Sequence, residues 1–133
     1  MAFLIDTDVA IHLRDGSPDI TARITNLSSI PAMSVITLVE LQAGAAMDGS
    51  TGRIRAPLLA QMREIIPVLP FTEDEADAYG GIIAALGHDR RRVLDRMIAA
   101  QAIVAGRRLI TINGRDFSSI PGLDLEVWPA PAL

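Results

Sequence analysis

Short apolar segments that alternate with helical patterns are the feature that most restricts the fold of this chain. Helical patterns on short connections separate the first four of these segments. Each segment is too short for a buried helix and is bounded by polar or turn residues, so each reads as a strand. The alternation predicts one α/β domain, residues 1–133, with a central and mainly parallel sheet. The predicted strands are residues 3–5, 30–35, 68–71, 109–112 and 125–128.

Capping signals indicate where several helices begin and end. Ser17-Pro18 reads as an N-cap followed by a first-turn proline. Thr37 with Glu40, and Thr72 with Glu75, have the spacing of a capping box. Further predictions are a helical segment at residues 9–13, a loop at 48–52, a first-turn position for Pro57, a helix from 72 to about 86, and a helix at 93–105 stopped by Gly106.

The composition places the chain among compact globular proteins. Hydrophobic residues make up 50% of the 133 residues, and the mean hydropathy is +0.33, unlike a disordered chain. The most apolar stretch, residues 97–105, is about half as long as a membrane-spanning helix. Residues 1–8 lack the basic region of a secretory signal. We therefore expect a cytoplasmic protein without a membrane segment, ending in a loose tail at residues 129–133.

Polar and acidic side chains recur where the predicted strands end. In a parallel sheet the carboxyl ends of the strands share one edge, and a helix that leads into a strand begins at that same edge. We therefore expect these side chains to lie close together. They are Asp6 and Asp8 after the first strand, Glu40 in the first turn of the helix after the second, Asp95 near the start of the helix before the fourth, and Asn113 and Asp116 after the fourth.

Gathered carboxylates favour a metal site. Burying them without partners costs roughly several kcal/mol per ion, and a hard divalent cation removes that cost. The chain has no cysteine, and oxygen ligands favour Mg²⁺ or Mn²⁺ over zinc. Such an ion polarises a phosphoryl oxygen and generates hydroxide from bound water. The acids thus predict a candidate site for phosphodiester hydrolysis.

Each acid also has an ordinary structural role that remains open from sequence alone. The two acids after the first strand can serve as helix N-caps, and Glu40 can be the partner in its capping box. Asp95 suits the dipole at the start of its helix. Asn113-Gly114 fits a hairpin turn, which would leave Asp116 as an exposed loop acid. Taken singly, these roles explain each acid better than a metal does, and only their shared edge favours a metal site.

Three segments resemble, in order and spacing, the signature segments of PIN-domain ribonucleases of the VapC toxin type. They are FLIDTDVAIHL, SVITLVELQAG and LDRMIAAQAIVAGRRLITINGRDFSSIPGLDLEVW, and together they extend from Phe3 to Trp128. The resemblance implies an α/β/α sandwich around a parallel five-stranded sheet in the order 3-2-1-4-5. It also implies a Mg²⁺- or Mn²⁺-dependent endoribonuclease that acts as a toxin, is neutralised by a small antitoxin and forms a homodimer.

The resemblance also implies site residues, although two positions depart from the family pattern. Asp8 stands where the family more often has asparagine. The segment Arg90-Arg-Arg-Val-Leu replaces a glycine-rich, proline-containing link that often precedes the third acid. Matched by motif, the acidic site falls on Asp6, Glu40, Asp95 and Asp116, with Thr7 and Asn113 as supporting polar residues.

Four arginines adjoin the third acid and could hold RNA phosphates. A solvated charge run, or a surface for an acidic antitoxin tail, explains them equally well, and the net charge of −4 adds no support for RNA binding. These arginines are Arg90, Arg91, Arg92 and Arg96. We expect His12 and His88 to be surface or packing residues rather than bases, and Trp128 to pack at the last strand.

We therefore predict a metal-dependent endoribonuclease. Asp6 and Asp95 would bind the metal most directly, while Glu40 and Asp116 would complete the acidic site and orient water. Attack by water would break the bond between the phosphate and the 3′-oxygen. An inactive binding module of the same fold and a nuclease that cuts DNA remain open. A receiver-like phosphoacceptor domain would need a lysine near the acids, and the chain has none.

Overall fold

The computed structural model describes residues 1–47 and 49–132. Within these residues the chain forms one five-stranded sheet with six α-helices, and two short 3-10 helices lie at Arg90–Arg92 and Gly114–Asp116. None of the helices described is long and apolar enough to cross a membrane. The strands are β1 (Phe3–Ile5), β2 (Ala32–Ser34), β3 (Val68–Leu69), β4 (Arg108–Thr111) and β5 (Leu125–Val127). The helices are α1 (Thr7–Arg14), α2 (Pro18–Thr25), α3 (Val35–Ala45), α4 (Ser50–Ile65), α5 (Glu73–Leu86) and α6 (Val93–Ala105).

The described strands all run parallel, in the order β3-β2-β1-β4-β5. The central strand β1 pairs with β2 through Leu4 opposite Ala32, and with β4 through Ile5 opposite Ile110. Parallel neighbours require crossover connections, which place helices on both faces of the sheet. This topology confirms the predicted α/β class and the strand order that the resemblance implies.

Alternate side chains of β1 pack into two hydrophobic layers. Phe3 and Ile5 contact the layer formed with α1 to α4, whereas Leu4 contacts the layer formed with α5 and α6. All three side chains are at most 5% exposed, which explains why β1 is an uninterrupted apolar run. The two layers hold the carboxyl ends of β1, β2 and β4 at one edge.

Several predicted helix ends agree with the structure. Ser17 caps α2, and its hydroxyl accepts from the N–H of Ile20 (3.4 Å). Thr72 and Glu75 form the capping box that begins α5. α6 has its predicted bounds and ends at Gly106, whose φ of 63° is the left-handed conformation that glycine adopts readily.

The predicted capping box at the start of α3 is wrong. The helix begins at Val35, two residues earlier than Thr37, and Ser34 is its N-cap. The Ser34 hydroxyl accepts from the N–H of Ile36 (3.0 Å). Thr37 is therefore a buried residue inside the helix, and Glu40 lies in the second turn rather than the first.

Two predictions for α4 are also wrong. Pro57 lies inside the helix rather than in its first turn, and Ser50–Gly52 belong to the helix rather than to a loop. Asp48, which begins the predicted loop, lies outside the described residues. Proline has no backbone N–H, so Pro57 cannot donate the usual helical hydrogen bond to the carbonyl of Arg53. Both residues are exposed, so solvent can hydrate that carbonyl.

The predicted tail is described only up to Ala132. Residues 129–132 form neither helix nor strand, and Leu133 lies outside the described residues. The N–H of Ala132 donates to the Asp19 carboxylate (2.9 Å) in the first turn of α2. This bond is a contact between the end of the described chain and the helical layer.

A buried polar network connects α5 and α6 to the start of α3. Glu75 accepts hydrogen bonds from the hydroxyl (2.5 Å) and N–H (2.8 Å) of Thr72 and from Nε2 of Gln101 (3.1 Å). The hydroxyl of Ser34 donates to Oε1 of Gln101 (3.4 Å). The hydrogen bond from the Thr72 hydroxyl is the main reason that the pKa of Glu75 is lowered. Because Ser34 also caps α3, Gln101 joins the helices on both faces of the sheet.

We expect Gln101→Leu to lower the free energy of unfolding by about 1–3 kcal/mol, because the buried Glu75 carboxylate loses a donor. Urea denaturation at pH 7 measures this change. Gln42→Leu is the matched control, since Gln42 is exposed on α3, and it should change stability by less than about 0.5 kcal/mol. Equal stability of the two variants would contradict a structural role for the network.

Candidate active site

Asp6 joins the end of β1 to the end of β4. It is the N-cap of α1, where Oδ1 accepts from the N–H of Val9 (3.0 Å). Oδ2 accepts from the hydroxyl of Thr111 (2.5 Å), the last residue of β4. The Asp6 side chain is only 4% exposed. Asp6 therefore has the predicted capping role and also lies at the sheet edge.

Glu40 is held by a hydroxyl pair between α1 and α3. The hydroxyl of Thr7 donates to Oε1 of Glu40 (2.7 Å) and lies 3.0 Å from the hydroxyl of Thr37. Thr7 thus supports Glu40, while Thr37, misread from sequence as a helix cap, supports Thr7. These contacts orient one carboxylate of α3 toward the start of α1.

Asn113 and Asp116 follow β4 without forming a hairpin. β4 and β5 pair in parallel, which excludes the hairpin turn, and Gly114–Asp116 is a 3-10 helix. The Asn113 amide donates to the carboxylate of Asp8, and its N–H donates to the Thr111 hydroxyl (2.9 Å). Asp116 accepts from Nη1 of Arg92 (3.1 Å). The end of β4 is therefore bonded to the start of α1 by two routes.

The fold places five carboxylates close enough to affect one another's ionisation, in a region that we call the acidic edge. The pKa of Asp95 is raised to about 6, first by burial and then by the charges of three other acids, of which Asp116 has the largest effect, while Arg92 opposes them. Burial also raises the pKa of Asp6 to about 7, against the hydrogen bonds from Thr111 and Val9. The acidic edge consists of Asp6, Asp8, Glu40, Asp95 and Asp116.

The donor chemistry of the acidic edge fits a hard divalent cation. Its side chains offer only oxygen, and the raised pKa values show that the negative charges lack sufficient compensation. Within residues 1–47 and 49–132, no three acidic or histidine side chains already converge to hold an ion. Asp6, Glu40 and Asp116 instead bond to three separate partners. Metal binding would therefore draw these carboxylates closer together, and each oxygen that accepts one hydrogen bond keeps a second lone pair for the ion.

Thr111 is the supporting residue that sequence reasoning missed. Its hydroxyl donates to Asp6 and accepts from the N–H of Asn113, so a fully buried side chain links two neighbouring strand ends. A polar residue at the carboxyl end of an apolar strand was the available signal. Nothing local in the sequence pairs it with Asp6, which is 105 residues away.

The predicted arginine group divides into exposed, paired and buried members. Arg90 and Arg91 are exposed, and Arg92 forms ion pairs with Asp89 and Asp116. Arg96 is 6% exposed and donates to the carbonyl of Gly87 (2.6 Å). The structure therefore corrects the prediction for Arg96, because its guanidinium is committed to the protein and not free for a phosphate.

The histidines and the tryptophan lie in ordinary structural positions. His12 is partly buried in the last turn of α1, and His88 is exposed. Trp128 is 6% exposed beside β5, and its Nε1 donates to Glu126 (2.6 Å). The guanidinium of Arg23 lies 5.8 Å from the centre of its ring. The predicted packing of Trp128 is confirmed.

A separate apolar groove lies between α1, α2 and α4. Its volume is about 290 Å³, and none of the acidic residues that the structure describes lines it. Ile65 at its margin is 66% exposed. The groove is thus distinct from the acidic edge, and its apolar lining is Leu13, Ile24, Leu58, Met62, Ile65 and Ile66.

Comparison with known proteins identifies the family. The model of the PIN domain matches residues 3–123. "Ribonuclease VapC1" of Rickettsia felis is 30% identical over 129 residues, which cover 94% of this chain and 95% of that protein. "tRNA(fMet)-specific endonuclease VapC" of Salmonella typhimurium is 31% identical over 131 residues, which cover 96% of this chain and 98% of that protein. Both relatives are thus matched over nearly their whole length.

Solved structures agree with this relationship. The DNA-bound VapBC of Salmonella typhimurium has a TM-score of 0.82 and 29% identity, covering 96% of this chain and 98% of that one. A toxin-antitoxin complex from Klebsiella pneumoniae has a TM-score of 0.72 and 25% identity, and the match covers 98% of this chain and 99% of that one. With the parallel 3-2-1-4-5 sheet and the family match across residues 3–123, these likenesses show that the chain belongs to the PIN-domain ribonucleases of the VapC toxin family.

Proposed function

We propose that this chain is a Mg²⁺- or Mn²⁺-dependent endoribonuclease and the toxin of a toxin-antitoxin pair. The acidic edge is the observation that carries the proposal, because it gathers five carboxylates, and burial together with their mutual repulsion raises the pKa values of Asp6 and Asp95. A divalent cation is the partner that such a set of oxygen ligands lacks. The nuclease relatives supply the reaction class.

In this proposal, Asp6 and Asp95 hold the metal, while Glu40 and Asp116 complete the site and orient the attacking water. When bound, the metal would polarise a phosphoryl oxygen and lower the pKa of water. Thr111 and the N–H of Val9 hold the two Asp6 oxygens in fixed directions. The hydroxyl of Thr7 does the same for one oxygen of Glu40. The protein thus orients the ligands through hydroxyl groups at the sheet edge.

We propose RNA as the substrate, with transfer RNA as the first class to test. The Salmonella typhimurium relative is named for cleavage of tRNA(fMet). Arg90 and Arg91 are exposed on the 3-10 helix before α6, which begins at the acidic edge. Their guanidinium groups are therefore available for backbone phosphates. The acids of the edge would repel RNA without such contacts or a bound metal.

We propose a small antitoxin as the protein partner, a homodimer as the assembly and the cytoplasm as the location. The structural relative from Klebsiella pneumoniae is a toxin-antitoxin complex. The apolar groove between α1, α2 and α4 offers a binding surface away from the acidic edge. Ile54 and Val39, on α4 and α3, are each more than 60% exposed and offer further apolar surface.

Incubation of purified protein with total cellular RNA tests the proposed activity. We expect discrete fragments with Mg²⁺ or Mn²⁺ and none with EDTA, because the carboxylates need the ion to activate water. Single-stranded DNA of matched length is the control substrate and should remain intact. Cleavage in EDTA would contradict the metal mechanism. Mn²⁺ binding without cleavage of any RNA would favour an inactive binding module.

A further inference from the structure

Arg92 is the arginine that contacts the acidic edge in the described part of the chain. Its Nη1 lies 3.1 Å from Oδ1 of Asp116 and 3.4 Å from the carbonyl oxygen of Arg115. Its Nε lies 3.3 Å from Oδ2 of Asp89. One guanidinium therefore connects the start of α6 to the 3-10 helix after β4. In doing so it occupies an oxygen of a proposed metal ligand.

The ion pair between Arg92 and Asp116 is weak enough to exchange partners. The two side chains are 36% and 41% exposed, and pairs with such exposure contribute roughly 0–1 kcal/mol. A divalent cation competes for Asp116, and a phosphate group competes for the guanidinium. The divalent cation carries twice the charge of the guanidinium that it replaces beside Asp116, and a backbone phosphate offers the guanidinium the same single negative charge as the carboxylate, so binding of both would favour the exchange.

We propose that Arg92 is a positioning residue with two alternative partners. It holds Asp116 in the free protein, and it binds a phosphate of the RNA once substrate is present, which leaves Asp116 to the metal. This inference rests on the proposed nuclease function. In addition to that function, Arg92 and the metal compete for Asp116, so that Arg92 lowers the affinity for the metal before substrate binds.

The surrounding structure favours Arg92 over its neighbours for this role. Arg90 and Arg91 are exposed, and Arg96 is buried against the Gly87 carbonyl. The backbone at Arg92 is held in place, because Asp89 caps the 3-10 helix by accepting a hydrogen bond from the N–H of Arg91 (3.0 Å). Arginine also has the planar fork that matches both carboxylate and phosphate.

A double-mutant cycle measured by Mn²⁺ titration calorimetry tests the competition. Arg92→Gln should tighten Mn²⁺ binding about threefold, because removal of a partly exposed ion pair frees Asp116. In an Asp116→Asn background the same change should alter the Mn²⁺ affinity by less than about 1.5-fold. Arg91→Gln controls for the loss of a nearby positive charge and should change Mn²⁺ affinity less than Arg92→Gln does. Equal effects of Arg92→Gln in both backgrounds would overturn the proposal.

RNA binding supplies the second readout. Bulk transfer RNA in EDTA should bind Arg92→Gln about fivefold more weakly than wild type, consistent with the loss of one phosphate contact. Arg92→Lys should recover part of this affinity, because it keeps the charge but not the fork. Arg63→Gln, an exposed change on α4, should bind RNA as wild type does. A merely structural role would weaken Mn²⁺ binding and RNA binding together, which would also overturn the proposal.

The wild-type protein separates failure of this inference from failure of the proposed function. Absence of both Mn²⁺ binding and RNA cleavage in wild type would overturn the two together. Metal-dependent cleavage by wild type, with no coupling between Arg92 and Asp116, would overturn the role of Arg92 alone. Coupling in Mn²⁺ affinity together with weaker RNA binding by Arg92→Gln supports both.

Discussion

Asp6→Asn lowers the rate of RNA cleavage by at least about 100-fold, because it removes a charged ligand from the proposed metal site. Asparagine keeps the size of the side chain and is an equally good N-cap. Its oxygen can accept from the N–H of Val9, and its amide can donate to Thr111, the two present partners of Asp6. We therefore expect the fold to persist while the chemistry is lost. Single-turnover cleavage at saturating Mn²⁺ is the measurement.

The matched control for this loss is Asp77→Asn, an exposed change on α5. It should cleave RNA within about twofold of wild type, as surface changes away from a site generally do. Circular dichroism should show the same helix content in both variants. Cleavage by Asp6→Asn at more than about a third of the wild-type rate would be incompatible with Asp6 as a principal metal ligand.

Local sequence patterns were sufficient to predict most elements of this fold. β1 and α6 have their predicted bounds because each combines a continuous apolar pattern with a clear stop, Asp6 for the strand and Gly106 for the helix. The strand order followed from the family resemblance. Alternation of elements predicts a parallel sheet, but it does not choose among the orders in which strands can pair.

The prediction for α3 failed because two overlapping capping signals compete. Both Ser34 and Thr37 can begin a helix, and only the end of β2 decides between them. Ser34 can cap α3 and still bond to Gln101 on α6. Thr37 then becomes available to Thr7, across 30 residues of sequence. Tertiary contacts outweighed local capping preference.

The acidic edge was predictable as a group of acids but not as a network. Strand ends and helix starts locate the carboxylates, since those positions meet at one edge in any parallel sheet. Which hydroxyl orients which acid depends on strand register and helix packing. The bonds from Thr111 to Asp6 and from Thr7 to Glu40 connect residues 105 and 33 positions apart. The burial of Arg96 likewise follows from packing rather than from its position in an arginine run.

The metal-free protein should become less stable, relative to Asp6→Asn, as the pH rises from about 4 to about 7. The ordinary pKa of an aspartate side chain is 3.8, and that of Asp6 in the folded protein is raised to about 7, mainly by burial. Between these values the folded state retains a proton that the unfolded state releases. The stability that Asp6 contributes is therefore complete below about pH 4 and is lost as the pH rises through about 7.

Urea denaturation of both proteins in EDTA, from pH 4.5 to pH 8, measures this difference in stability. The contributions of the other ionisable groups are nearly the same in both proteins and largely cancel. Asp6→Asn should exceed wild type in free energy of unfolding by about 2–4 kcal/mol at pH 8 and by little at pH 4.5, given about 1.4 kcal/mol per pKa unit. Adding Mn²⁺ at pH 8 should stabilise wild type and leave Asp6→Asn nearly unchanged, because only the carboxylate gains from the ion. A difference that stays constant across this pH range would show that Asp6 is already ionised at low pH. The buried carboxylate would then need no cation, and the acidic edge would lose its main physical argument for binding metal.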